Sequence, residues 1–511
     1  MGAVAEPIDV DPDEPTGTLE HLEGEADRPE KLRWRIRIFG STTFFRLWLT
    51  QIVSATGDWL GLLAITALAT RVGAGGNEGA AVGVVLAARL APGLFLAPVA
   101  GVFADRWDRK KLMVMCDLGR ALVLLSLPFV DTVGGLVLAS LVLEVFTLLW
   151  APAKEASVPH LVPVDHLTTA NSLSLVAAYG TFPLAAGLFS LLSKAGENLG
   201  DVSALGFLRA DQLGLAFYFD SLTFVVSAIM ISTLPLPKRR REERDQAKER
   251  TRARIDFGQA FAELKEGWAF IFVTPTARAV NLGLATGLIG GGMLVPLGPI
   301  FATDVLGAGE TGFGILIFAM GLGVAIGIFL LSILERRLPK DWVFTIAVFL
   351  AGVSLFFAAS MSTLVMASLF VAGLGICAGA VYVIGFTLLH ESVDDDMRGR
   401  IFGALNTLVR ICVLLAFAVG PLLSEVLDSI SGSVLDDQRL SFGGYSLFLP
   451  GERLALWFAS IIIFGAGFIA AFSFRTGHAA RRVTDAEPGV QIEAATPIGP
   501  TGPIESQTEP A

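Results

Sequence analysis

Gly101-Val102-Phe103-Ala104-Asp105-Arg106-Trp107-Asp108-Arg109-Lys110-Lys111 puts six charges on a short stretch between two apolar runs, near 80–104 and 112–130. So charged a segment stays out of hydrocarbon, whereas a run of roughly 20 mostly apolar residues is what a spanning helix needs. The same alternation continues in both directions. Apolar runs lie near 44–70, 80–104, 112–130, 133–151, 169–193 and 213–235, and again near 278–303, 311–334, 342–361, 363–389, 400–427 and 454–474. The pattern predicts an all-α membrane protein with twelve transmembrane helices in two six-helix halves. Composition agrees, because 17% of the residues are charged and 53% hydrophobic, against about a quarter charged in an ordinary soluble domain.

Orientation follows from the cations. The approach to helix 1 carries Lys31, Arg33, Arg35 and Arg37, the stretch quoted above carries Arg106, Arg109, Lys110 and Lys111, and the turn after helix 8 carries Arg336, Arg337 and Lys340. Loops on the opposite side hold only Arg71, Lys194, Arg209, Arg439 and Arg453. Cytoplasmic segments retain an excess of Lys and Arg, so both termini are expected in the cytoplasm. The expected organisation is an acidic disordered tail over 1–42, a first half over 43–236, a cytoplasmic linker over 237–276, a second half over 277–474 and a disordered tail over 475–511. The linker opens on Lys238-Arg239-Arg240-Arg241 and continues with Phe257, Phe261, Leu264, Trp268 and Phe272 at helical spacing, which suggests an amphipathic helix on the inner membrane surface.

Several function classes fall away. The net charge of −10 resides largely in the tails, and neither tail has the dense Lys and Arg of a nucleic-acid arm. Cys116, Cys377 and Cys412 each fall inside a span, leaving no disulfide framework and no metal-ligand spacing. The start, Met1-Gly2-Ala3-Val4-Ala5-Glu6-Pro7, lacks the basic and apolar regions of a cleaved signal. Neither a phosphate-cradling glycine loop nor a serine elbow is present, so no cofactor and no enzymatic chemistry is expected.

The quoted stretch resembles the loop 2–3 signature of the major facilitator superfamily, G-x-x-x-D-R-x-G-R-R/K, matching at Gly101, Asp105, Arg106, Arg109 and Lys110 and departing at Asp108. The resemblance implies that this loop latches the two halves on the cytoplasmic side during alternating access. Further segments are similar to the drug:proton antiporter branch with enterobactin exporters and macrolide efflux pumps. They are Phe45-Arg46-Leu47-Trp48 leading to Gly57-Asp58, Asp117-Leu118-Gly119-Arg120, Pro152-Ala153-Lys154-Glu155-Ala156, Ala170-Asn171-Ser172-Leu173, Phe219-Asp220 and Arg398-Gly399-Arg400. Gly180 to Gly187 only approximates the G-P-x-x-G antiporter signature of helix 5. Uptake or lysophospholipid flipping therefore stays open beside export, as does a non-transporting receptor or scaffold role.

An ionisable side chain at the bilayer centre is costly unless paired or wet, which makes each one a functional candidate. At 1.5 Å per residue, Asp58 lies about 18 Å past Arg46 and Arg89 about 16 Å past Glu78, so both reach the midplane of a core of roughly 30 Å. Two readings of an Asp58–Arg89 pair stand: a proton or cation site, and a static structural pair. Glu144 and Arg120 reach similar depths, and Asp117 sits one turn from Arg120. The latter two read either as a charge relay bracing the Asp105 loop or as direct substrate contacts. Arg410, in helix 11, either meets an anionic substrate group or faces helix 2 across the interface. Asp220 reads as nearer the outer surface and wet. Among the aromatic residues Phe44, Phe45, Trp59, Tyr179, Phe182, Tyr382 and Phe386, Trp59 is the expected cavity-lining side chain. The expected function is thus proton-coupled export of small hydrophobic or amphipathic compounds across the plasma membrane, the bacterial inner membrane, with protons and lipids as the other partners and no partner protein.

Overall fold

A computed structural model describes residues 38–74, 78–200, 209, 211–236, 265, 268–269, 271–334, 339–392, 395–442 and 445–486. Twelve long helices carry the chain. The first six are α1 (Thr42–Val72), α2 (Glu78–Arg106), α3 (Arg109–Ser126), α4 (Val133–Glu155), α5 (Leu167–Tyr179, resuming as Phe182–Gly200) and α6 (Gly214–Ser232). The second six are α7 (Pro275–Gly292, resuming as Leu294–Ile300), α8 (Gly309–Leu334), α9 (Lys340–Ser360), α10 (Leu364–Ser392), α11 (Asp395–Val434) and α12 (Gly451–Ala486). Among the described residues, 11 helices are long and apolar enough to cross a membrane. The twelfth is α2, 29 residues long, whose side chains from 97 to 106 lie outside the described residues.

Local chemistry explains where helices start and break. Asp108, which stands where the family signature has glycine, is the N-cap of α3, and its carboxylate accepts from the Lys111 backbone N–H at 3.0 Å. Thr132 caps α4 through the Gly135 N–H. The break in α5 falls at Gly180-Thr181, and Pro183 sits in the first turn of the resumed helix, where the N–H it lacks would have no helical partner. In α7 the run Gly290-Gly291-Gly292 and the prolines Pro296 and Pro299 precede a π-helical turn over Phe301–Val305. Both α11 and α12 outrun the apolar segments that announce them; α12 continues past the expected boundary at 474 to Ala486. The sequence pattern also missed a short hairpin, β1 (Arg439–Phe442) paired antiparallel with β2 (Tyr445–Phe448), between α11 and α12. Fully buried Arg453 anchors it by donating to the Phe448 carbonyl at 2.6 Å and to the Met361 carbonyl at 2.9 Å. Of the expected linker helix, Trp268 and Phe272 stack with ring centroids 6.2 Å apart, and most of the rest lies outside the described residues.

The packing repeats. In the first half α1 lies on α6, α2 on α4, and α3 on both α4 and α6; in the second half α7 lies on α12, α8 on α10, and α9 on both α10 and α12. Each pair recurs six helices later, the mark of a duplicated unit. The halves meet chiefly through two equivalent contacts, α2 with α11 and α5 with α8, and the second segment of α7 also touches α1 and α2. Small residues bring these helices close, as expected where lipid gives no hydrophobic drive between spans. Added side chains at Gly79 and Gly83 would meet the backbone of Pro421 and Ala418, and the Ala80 N–H donates to Glu425 at 2.7 Å. At the second contact, the Ser190 hydroxyl donates to the Thr311 carbonyl at 3.0 Å. Arg71 of α1 completes the closure, reaching Asp211 at 2.5 Å in its own half and Glu310 of α8 at 2.8 Å in the other. The halves are therefore shut at the end that carries Arg71.

Two predictions follow from this packing. Gly375 of α10 sits against the backbone of α8 at Met320, so Gly375→Leu lowers the thermal midpoint of the purified protein by the equivalent of about 1–3 kcal/mol. Gly291→Ala, whose new methyl meets nothing within 4 Å, leaves it unchanged; equal midpoints would refute backbone-on-backbone packing. The Arg71 pairs are partly exposed and together contribute about 1 kcal/mol. Arg71→Ala should accordingly raise thiol labelling of a cysteine placed at Ser190 by roughly fivefold, and an unchanged rate would remove Arg71 from the closure.

Candidate functional site

The deep charges converge. Asp58, in the middle of α1, has a side chain 31% exposed and lies against two guanidiniums. Arg120 of α3 is 3.2 Å from it and Arg89 of α2 is 3.6 Å from it. Arg120 also pairs with Asp117 one turn away, and Asp117 accepts from the Ser227 hydroxyl of α6 at 2.7 Å. The relation of Asp58 to Arg89 is the one that helix depth predicts. The closer partner, Arg120, belongs to the pair read from the sequence as a relay toward Asp105. In the structure Arg120 and Asp117 turn inward to Asp58, while the side chains of Gly101, Asp105 and Arg106 lie outside the described residues.

Arg120 is only 1% exposed, and its surroundings compensate for that burial. Two carboxylates face it, the Phe224 ring lies 4.2 Å away and the Trp150 ring 5.4 Å away. A guanidinium is the cation for such a place, because it stacks on rings and donates along several directions at once. Trp150 is itself 8% exposed and belongs to this cluster.

Asp220 requires the larger correction. The sequence places it toward the outer surface in contact with water; in the structure it is 1% exposed. Gly57 and Gly61 of α1 present bare backbone to its carboxyl group, and a Cβ at either position would overlap the carboxyl oxygens. An aspartate in an otherwise apolar helix was the available signal. Its pairing with a glycine face on α1 becomes visible only when the two helices are placed together.

Glu144 of α4 adds a fourth acid. It interacts electrostatically with Arg89 and Arg410, of opposite sign, and with Asp58. Arg410 of α11 is the second half's contribution, and its guanidinium donates to the Gly93 carbonyl of α2 at 3.4 Å. Of the two positions open to it in the sequence, the structure puts it against helix 2. Trp59 bridges α1 and the broken α5: its indole N–H donates to the Ala178 carbonyl at 2.8 Å, and its ring meets Phe182 edge-on at 4.8 Å. Tyr179 of α5 and Tyr382 of α10 are 61% and 45% exposed. Tyr382 packs on Phe386 at 4.5 Å.

The 2–3 loop is tied down within its own half. Arg109 donates to the Ala156 carbonyl at the end of α4 at 2.6 Å, and Lys110 donates to the Leu234 carbonyl just past α6 at 2.9 Å. Both bonds place cations on carbonyls at or just beyond a helix C-terminus, where they are favoured. A separate cavity of about 450 Å³ lies at the Arg71 end. Its charges are mutually satisfied: Arg209 donates to Asp131 at 2.6 Å, holding that carboxyl below the usual carboxylate range, and Arg71 pairs with Asp211. It is remote from the charged network and does not form part of it.

Comparison with known proteins agrees with the fold. The family model described as Major Facilitator Superfamily matches residues 47–416 and, a second time, 280–504. "Uncharacterized MFS-type transporter YfiS" of Bacillus subtilis (strain 168) is 25% identical over 394 residues, 74% of this chain and 85% of that protein. "Macrolide efflux protein A" of Streptococcus pyogenes is 23% identical over 403 residues, 75% of this chain and 88% of that protein. Among solved structures, a bacterial homolog to the human lysosomal transporter Spinster superposes with a TM-score of 0.65 at 15% identity, covering 86% of this chain and 98% of that one. That likeness shows the fold. With its many spans and bacterial relatives, the protein is a multi-pass protein of the bacterial inner membrane. Since the family match extends over most of the chain and the duplicated six-helix packing agrees with it, the chain belongs to the Major Facilitator Superfamily and is a membrane transporter, not an enzyme.

Proposed function

We propose that this transporter exports small hydrophobic or amphipathic compounds in exchange for protons, by alternating access, with both termini and the Arg109 loop on the cytoplasmic side. The observation that carries this reading is the state of Asp58, a midmembrane carboxylate held by Arg89 and Arg120 yet one-third exposed. A group so placed can be reached from the space between the halves, and its charge is already balanced. A proton or a cationic group arriving there competes with the guanidiniums. Such competition is what coupled exchange requires: the two cargoes displace one another at one site, and each occupant favours a different arrangement of the halves.

Three further features support the reading. The aromatic side chains Trp59, Phe182, Tyr179, Tyr382 and Phe386 provide apolar surface with few polar anchors, suited to greasy molecules of varied shape. Gly321 and Pro183 lie in contact at the α5–α8 interface, where a break in α5 allows bending. A macrolide efflux protein is among the chain's relatives, which favours the outward direction. Lys and Arg crowd the loops at the Arg109 end, consistent with a cytoplasmic location for that end.

The test is substrate-evoked proton movement in proteoliposomes, comparing wild type with Asp58→Asn across cationic dyes, macrolides and catechol siderophores. Wild-type protein should move protons with some of these compounds. Asp58→Asn should reduce that flux about tenfold or more, the effect of losing roughly 1.4 kcal/mol of differential interaction. Full flux in the variant, or none in correctly inserted wild-type protein, would overturn the proposal.

A further inference from the structure

Four acids, Asp58, Asp117, Glu144 and Asp220, and three arginines, Arg89, Arg120 and Arg410, make up the midmembrane network. Fully ionised, it holds one uncompensated negative charge in a medium where such a charge costs several kcal/mol. One bound proton neutralises it. The geometry identifies the carboxyl that holds this proton.

Asp58 has Arg120 and Arg89, Asp117 has Arg120 and the Ser227 hydroxyl, and Glu144 lies beside Arg410 at Gly93 and interacts with Arg89 as well. Asp220 has no comparable partner. Its Oδ2 is buried without a hydrogen bond. Its Oδ1 lies 3.4 Å from the Thr223 hydroxyl, but that hydroxyl is also 2.7 Å from the Asp220 backbone carbonyl. Thr223 has a single hydroxyl hydrogen, and the shorter contact takes it. What Thr223 offers the carboxyl is then a lone pair, which accepts from a carboxylic acid and repels a carboxylate. The α1 backbone at Gly57 and Gly61, pressed against the same group, has its N–H groups committed to its own helix and donates nothing. Each packed element contributes the same absence of a direct cation. On α1 the facing charge is Asp58, of like sign. Arg89 of α2 and Arg120 of α3 act on Asp220 from a distance while bonded to Asp58, and Asp117 of α3 is engaged with Arg120 and Ser227. The α5 charges lie toward the Arg71 end, where Glu197 accepts from Gln212 at 3.0 Å.

We infer that Asp220 is a proton-binding site, occupied in this arrangement, and that Asp58 and Asp220 share Arg89 and Arg120 in turn. This rests on the proton-coupled reading above and names its proton carrier. When a cationic group or a proton engages Asp58, a guanidinium is released toward Asp220. As α1 shifts off the carboxyl it covers, the Asp220 O–H bond breaks, its proton passes to water admitted past the partly exposed Asp58, and the new carboxylate takes the freed cation. Charge is conserved at each stage, and no further reactant enters.

Infrared spectroscopy of the purified full-length protein tests this through the carbonyl stretch of a protonated carboxylic acid. Wild type should show that band at neutral pH and Asp220→Asn should lose it. In proteoliposomes Asp220→Asn should lose acceleration of substrate transport by a pH gradient, since a neutral amide mimics the protonated acid and cannot release a proton. A band and a gradient response unchanged in Asp220→Asn would overturn the assignment. Should that variant fail to insert, Thr223→Val serves instead: removing the acceptor should move the band to higher frequency, and an unmoved band would count against Asp220. Wild-type protein that shows the Asp220 band without substrate-evoked proton movement would uphold the site and overturn coupled export.

Discussion

Arg120 is a full positive charge held almost out of reach of water, and the first half of the molecule is arranged around it. A lone cation at that depth would be expelled or would pull water into the membrane. It stays because Asp58 and Asp117 flank it and because Trp150 and Phe224 cover its faces. That set comes from four different helices, α1, α3, α4 and α6, so satisfying one side chain fixes the mutual rotation of most of the half. Removing one partner would leave the others buried and unpaired, which is costlier than never having built the pair. The cluster therefore acts as a registration device for the bundle as well as a chemical site.

The alternating access proposed above would move the two halves about that fixed point. Their contacts at the Arg71 end combine glycines set against backbone, one partly exposed ionic bridge and a buried Phe189–Phe313 ring pair with centroids 6.0 Å apart. The breaks at Gly180-Thr181 in α5 and at Gly290 to Gly292 in α7 are places where those helices can bend. The paired use of α2 with α11 and α5 with α8 gives the closure an approximate two-fold character, inherited from the duplicated unit.

Much of this architecture is legible in the sequence because bilayer thickness imposes one length scale on every span. Apolar runs near 44–70 and 342–361 correspond to α1 and α9 within a few residues. Boundaries blur where polar but helix-favouring residues follow an apolar run, as at the end of α12. The hairpin at Arg439–Phe448 escapes because four-residue strands leave no periodicity to detect. Of the site, depth along a helix could be counted, which is why Asp58 and Arg89 emerge as neighbours. Direction around a helix could not. Arg120 is read as bracing the loop or meeting substrate, and the structure sets it against Asp58; Asp220 is read as wet, and it lies beneath a glycine face of α1. Rotational setting depends on which neighbour each helix chooses, and spacing within a single span does not contain that information.

The deep charges are distributed unequally. Six of the seven network residues belong to the first half, and Arg410 alone comes from the second. In a duplicated protein this is a division of labour between copies that began alike. The first copy is constrained residue by residue, since each charge there answers another. The aromatic surface proposed for cargo is shared, with Trp59, Tyr179 and Phe182 from the first copy and Tyr382 and Phe386 from the second. On the function proposed above, descendants of such a chain could change what they carry by drift among those aromatic positions while the charged cluster of the first copy is preserved, and a single ancestral design could diversify in cargo without reinventing its power supply.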